Sequence, residues 1–297
     1  MKKYILFTFI VIFITSAVFA QNKHTNPART KALNKILAFE GINAEAVLAD
    51  EFAFAFALRF VVGNLEVFRR IDQYPVGDQY EPVCLMQIDE HNSNGGKIPV
   101  CRPGLELTAA TMPDLDRLMR DAKREKLTLS ILSATRTPAQ QKQIKKQYAR
   151  RGMAKYAASG YTSQHLLGTT VDFRGKKRPF IKNGKEVAWL AKNSEKYGFV
   201  MTLGPDANPY EPWHYRYMGR EGVYLKNNIF DGSWKEALKF IDAHIDDILT
   251  YLEYFDEIPL LDYIPPSNSI DNAKIGVLTQ PIYDSLPAGY DIRRAQQ

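Results

Sequence analysis

The stretch SQHLLGTTVDF, residues Ser163 to Phe173, decides how the rest of the chain is read. It places His165 and Asp172 seven residues apart with Gly168 between them. On a straight helix, seven residues span about 10.5 Å along the axis, too far for both side chains to reach one small ion. A bend at Gly168 removes the difficulty. The chain delivers His165 from a loop, turns, and returns along the β-prone segment TTVDF with Asp172 beside it. Both side chains can then point at one centre, which a metal site with bonds of roughly 2 Å demands.

A second cluster lies downstream in YEPWHYRYMG, residues 210–219, with Glu211 and His214. Pro212 biases Glu211 toward an extended backbone, and the aromatic residues after it favour a strand. Two neutral imidazoles and one carboxylate, from His165, Asp172 and His214, suit a zinc ion and leave its fourth position to water. Glu211 then remains to accept a proton from that water. The spacing is not that of the HExxH helix found in many metalloproteases.

Working outward, TMPDLDRLMRDAKREKL (111–127) reads as a helix. Thr111 is its candidate N-cap, Pro113 lies in its first turn, and Leu115, Leu118 and Met119 form its apolar face. TLSILSA (128–134) follows as a strand. TPAQQKQIKKQYARRGMAKYA (137–157) is a second helix with Pro138 near its start and Gly152 near its end, its Lys and Arg forming a solvated face. VAWLAKNSEKYGF (187–199) predicts a helix ending near Gly198. SWKEALKFIDAHIDDILTYLEYF (233–255) predicts an amphipathic helix with Ile241, Ile245, Ile248 and Leu252 at helical spacing. Phe52, Phe54 and Phe56 alternate with alanine as in a strand, while Phe52, Phe56 and Phe60 fit one helical face, so that segment stays open between the two. Strands and helices mixed without a regular βαβ rhythm give the expected fold class, α+β: a small, mainly antiparallel sheet flanked by helices, with the zinc site on the sheet.

The composition is that of a folded chain, 45% apolar and 24% charged over 297 residues. Residues 1–20 read as a secretory signal peptide, with Lys2 and Lys3 before the apolar run YILFTFIVIFITSAVF; the alternative is an uncleaved anchor. Without those two lysines the formal charge falls from +6 to +4, a mild bias too weak to argue for nucleic acid. The two cysteines, Cys84 and Cys101, flank a turn-rich loop. In an oxidising compartment a bridge between them would close a loop of about seventeen residues and contribute roughly 3 kcal/mol. The expected organisation is therefore a signal peptide at 1–20, an N-terminal extension with the Cys84–Cys101 bridge at 21–104, a catalytic domain at 105–230, and a C-terminal helix and irregular tail at 231–297.

SxHxxGxxxD followed some forty residues later by EPWH resembles the zinc D-alanyl-D-alanine carboxypeptidases of the vancomycin-resistance type. Their wider group includes D-Ala-D-Ala dipeptidases and L-alanyl-D-glutamate endopeptidases. SATRTPAQQ (133–141) aligns with a segment like SGYRSxxxQ in those enzymes, with Arg136 on the arginine and Gln141 on the glutamine. The resemblance covers roughly residues 105–222. It implies one zinc per chain on His165, Asp172 and His214, Glu211 as catalytic base, and Arg136, Ser163 and Gln141 as substrate-binding residues. It implies removal of the terminal D-alanine from peptidoglycan stem peptides in the periplasm or cell envelope, with neither nucleic acid nor a stable membrane span involved. The same chemistry on another bond (an LD-carboxypeptidase, a dipeptidase or an L-Ala-D-Glu endopeptidase) is the nearest alternative, and a non-catalytic peptidoglycan-binding protein is a further one. An arginine can grip a terminal carboxylate with two parallel hydrogen bonds, which favours an exopeptidase. The chain departs from the family pattern at Ala134–Thr135, where a glycine–aromatic pair is usual, and at Pro138, where an aromatic is typical, so the substrate pocket is expected to differ.

Overall fold

In the computed structural model, the described residues are 26–90, 92–93, 96–175 and 184–253. The leader expected at residues 1–20 and the tail beyond Glu253 lie outside them. Among the described residues, three helices come first: α1 (Pro27–Leu37), α2 (Ala44–Ala49) and α3 (Glu51–Gly63). Two short antiparallel pairs follow. β1 (Leu85–Gln87) pairs with β4 (Glu106–Thr108), and β2 (Asn92–Ser93) with β3 (Gly96–Lys97). Then come α4 (Met112–Arg124), β5 (Ser130–Ser133), α5 (Pro138–Arg150), β6 (Thr170–Arg174), α6 (Lys185–Asn193), β7 (Phe199–Met201), β8 (His214–Tyr217), α7 (Gly219–Tyr224) and α8 (Trp234–Glu253).

The central sheet has four strands in the order β5-β6-β8-β7, every neighbouring pair antiparallel. Alternation assigns its two faces. Val171, Phe173, Tyr215 and Tyr217 point to one side and join Leu115, Leu118 and Met119 of α4 in a buried core. Ser133, Asp172 and His214 lie in register across β5, β6 and β8 on the other side. The expected α+β architecture is therefore the observed one.

The undecided phenylalanine segment is helical. The alanines of EFAFAFALRFVVG favour a helix, Asp50 caps it by accepting from the Ala53 N–H at 2.9 Å, and Phe54, Leu58 and Val61 form its buried face. These residues share an apolar cluster with Ile36 of α1 and with Phe240, Ile248 and Tyr251 of α8. Segments that precede and follow the sheet in sequence thus close one helical core. Arg216 of β8 ties this region to the sheet, donating from its buried guanidinium to the carbonyls of Val67 and Arg69 at 2.6 and 2.8 Å.

Two local expectations are corrected. Thr111 occupies the cap position of α4, but its backbone is already helical and its side chain makes no capping bond; the hydroxyl pairs with that of Thr108 at 2.8 Å instead. Cys84 and Cys101 are both exposed and unpaired. Each is anchored to different neighbours. Cys101 donates its N–H to Ile131 of β5, with Sγ beside Ser130 and Arg174. Cys84 leads into β1 with φ 53°, its carbonyl accepting from Ala109.

Candidate metal centre

Asp172 and His214 are cross-strand partners in the β6–β8 ladder. Directly opposed residues on one face of an antiparallel pair bring their Cβ atoms to about 5 Å, so register alone aims both side chains at the same space. His165 arrives from a 3₁₀ turn, Gln164–Leu167, that ends at Gly168. Gly168 is left-handed, with φ 71°, and a Cβ there would lie 2.9 Å from both Pro82 and Thr108 side-chain atoms. Only glycine makes this turn at that packing density. The bend expected at Gly168 is thus the device that returns the chain from His165 into β6.

The resulting cluster is tight. His165 Nε2 lies 3.2 Å from Asp172 Oδ2, and His214 Nδ1 lies 3.1 Å from Asp172 Oδ1. The candidate ligand atoms of all three residues fall within 4.8 Å of one another, and all three side chains are buried. Donors bonded to one tetrahedral zinc at about 2.0–2.2 Å stand roughly 3.4 Å apart, close to these separations.

Hydrogen bonds on the far side of each ring fix which nitrogen carries the lone pair. His165 Nδ1 lies 2.8 Å from the Ala134 carbonyl, an acceptor, so Nδ1 donates and Nε2 is left bare toward Asp172. His214 Nε2 lies 3.1 Å from Gln164 Oε1, which also accepts from the Thr202 hydroxyl at 2.6 Å. His214 therefore donates from Nε2 and presents Nδ1 to the centre. Burial, aided by the Arg136 charge, lowers the His165 pKa to about 4, keeping the ring neutral near pH 7. Two imidazoles and a carboxylate converging on one buried point are a donor set that fits zinc.

Glu211 stands at the rim. Its Oε2 is 3.9 Å from His214 Nδ1 and its side chain is 13% exposed. Burial, reinforced by Asp172 and opposed by His214 and Arg136, raises its pKa to about 7.

Arg136 is held more firmly than a free substrate clamp. Its Nε and one terminal nitrogen donate to Ser133 Oγ at 3.1 and 2.8 Å, NH2 also reaches Asp172 Oδ2 at 3.1 Å, and NH1 reaches Gln141 Oε1 at 3.0 Å. Four of five N–H groups are thereby engaged. The two-pronged grip expected from the sequence is not available in this arrangement; one NH1 hydrogen is. Gln141 is buried and donates to the Ala158 carbonyl at 3.1 Å, so it props Arg136. Ser163 is buried at the cap position of the His165 turn and makes no side-chain capping bond.

Sequence reasoning passed over Gln164, Thr202, Ser133 and the Ala134 carbonyl. Gln164 had one signal, a polar residue beside the candidate ligand His165. The other three are brought in only by tertiary packing.

Residues 104–220 match the family model VanY, described as D-alanyl-D-alanine carboxypeptidase. A D-alanyl-D-alanine carboxypeptidase of Enterococcus faecalis is 30% identical over 174 residues, 51% of this chain and 58% of that protein. One of Enterococcus faecium is 34% identical over 71 residues, 22% of this chain and 23% of that protein. The chain therefore spans little more than half of the longer-matched of these relatives. A crystal structure of the vancomycin-resistance D,D-pentapeptidase VanY in complex with Zn(II) is 23% identical with a TM-score of 0.47, covering 58% of this chain and 99% of that one. Over residues 104–220, under half of its length, the chain is thus similar to the VanY family of D-alanyl-D-alanine carboxypeptidases.

Proposed function

We propose that the chain is an exported, zinc-dependent carboxypeptidase that removes the terminal D-alanine from peptidoglycan stem peptides, with one zinc per chain on His165, Asp172 and His214. The observation that carries this reading is the convergence of three bare lone pairs on one buried point, with a proton-accepting carboxylate 3.9 Å from one of them. Zinc bound there supplies an acidified water and a polarised scissile carbonyl. Glu211 takes the proton of the attacking water and delivers it to the amine nitrogen of the departing D-alanine. A carboxyl whose burial brings it to about 7 both accepts and releases a proton near neutral pH. Arg136 adds positive charge beside the substrate's terminal carboxylate and offers its remaining NH1 hydrogen, while Gln141 and Ser133 keep the guanidinium in place. Ser163, on the same turn as His165, contributes a hydroxyl at the substrate side. In this reading the leader at 1–20 sends the protein to the periplasm or cell envelope, 21–104 is an extension, 105–230 is the catalytic domain, and 231–297 is the C-terminal helix and tail.

The test is mass analysis of products from defined stem peptides. Loss of one alanine from a pentapeptide stem, with the tetrapeptide untouched, is the expected result. Loss from the tetrapeptide instead identifies an LD-carboxypeptidase. Glu211→Gln should lower turnover by about 10²–10⁴-fold, and full activity in a strong chelator contradicts the zinc mechanism.

A further inference from the structure

Between Glu125 and Asp172 the chain has no acidic residue, yet it carries eight Lys and Arg there; elsewhere 31 basic residues face 33 acidic ones. The net positive charge of the protein is thus confined to the one segment that holds Arg136, α5 and the His165 turn. The structure adds where those charges lie. Lys142 is held by Asp78 and sits 4.4 Å over the Tyr161 ring, and Lys145 donates to the Ala154 carbonyl at 2.9 Å. Lys146, Arg150, Arg151 and Lys155 are exposed, and among the described residues none of them pairs with a carboxylate.

The arrangement is not explained by stability. Lys142, Lys146 and Arg150 stand at i, i+4 and i+8 on α5, and like charges at that spacing weaken a helix. The same helix reaches the candidate site, because Gln141 in its first turn holds Arg136 at 3.0 Å. From Gln141 to Arg150 is about 13.5 Å along the axis, the reach of about four extended residues of a bound peptide.

We propose that an exposed basic surface, Lys146 and Arg150 at the C-terminal end of α5 with Arg151 and Lys155 just beyond it, docks the carboxylate-bearing peptide strands of the wall polymer that presents the scissile peptide. This rests on the reading of the site as a stem-peptide carboxypeptidase and names the part of the substrate held beyond the cut end. Arginine meets a carboxylate with paired hydrogen bonds, and an exposed patch of this kind is weakened by salt, the screening length being about 10 Å at 0.1 M.

The experiment compares the full chain with the variant K146Q/R150Q/R151Q, all three positions exposed, using purified peptidoglycan sacculi stripped of attached polymers. In a sedimentation assay at low salt, the wild type should bind and the variant should bind at least tenfold more weakly. Wild-type binding should be lost in high salt and after the sacculus carboxylates are amidated. Hydrolysis of a short soluble stem peptide should be the same for both within about twofold. Equal sedimentation of variant and wild type overturns the proposal, as does wild-type binding that survives amidation or that appears only with anionic lipid vesicles. Salt-sensitive binding by a wild type that cleaves no stem peptide upholds the docking face and overturns the proposed activity. Cleavage of the short peptide with charge-independent binding does the reverse.

Discussion

Replacing Glu211 by Gln in metal-free protein should stabilise the fold, and by an amount that depends on pH. Burial raises the folded-state pKa of Glu211 from 4.5 to about 7. Below pH 4.5 the carboxyl is protonated in both folded and unfolded chains and the substitution changes little. Between pH 4.5 and 7 the unfolded chain has released a proton that the folded chain retains, so the wild type loses stability as pH rises. The loss is complete about one pH unit above 7. Each pKa unit is worth 1.36 kcal/mol, so the full difference is about 3 kcal/mol. With the side chain 13% exposed, solvent screening takes away little of it. Glutamine keeps the shape and carries no charge, so it escapes the penalty. For a domain of this size about 3 kcal/mol is a Tm difference of roughly 6–12 °C. Thermal melts of chelator-treated wild type and variant at pH 4 and pH 8 measure it. Expected are near-coincident melts at pH 4 and a more stable variant at pH 8. Restoring zinc should shrink the gap, since a nearby cation favours the ionised carboxylate. A gap of the same size at both pH values would refute the reasoning, because it would show that burial does not penalise the Glu211 charge.

Further outcomes follow from the same geometry. Gln164→Leu removes the acceptor that fixes the His214 ring and should weaken zinc binding by about 10–100-fold in a competition titration; Thr202→Val, one bond further out, should weaken it less. Phe173→Ala empties a fully buried position packed on Tyr215 at 5.6 Å between ring centroids, and should cost about 3–5 kcal/mol by denaturant unfolding. Gly168→Ala forces a side chain into left-handed backbone against Pro82 and Thr108; a loss of about 1–3 kcal/mol is expected, with zinc binding weakened more than stability alone explains.

The site was legible in the sequence because its chemistry is local. His165, Gly168 and Asp172 lie within one turn and strand, and the glycine announces the bend that joins them. Glu211 and His214 lie within a second such piece. The strands in TTVDF and HYRY were equally readable from their β-branched and aromatic residues. What the sequence could not supply was long-range. The phenylalanine–alanine segment satisfies both periods, and only its contacts with α1 and α8 select the helix. The engagement of Arg136 by Ser133, Gln141 and Asp172 depends on neighbours across the sheet, so a side chain read as a free clamp is a braced one. A Cys84–Cys101 bridge follows from compartment and loop length, but the backbone bonds of each cysteine hold it to a different partner.

The central claim is that two imidazoles and one carboxylate from separate strands and a turn hold a single zinc. Metal analysis of purified protein after equilibration with zinc and removal of the excess tests it most directly. About one zinc per wild-type chain, and little or none retained by folded His214→Ala and Asp172→Asn variants, is the predicted result. A wild type that retains no zinc, or a His214→Ala variant that holds it as tightly as the wild type, would contradict the account.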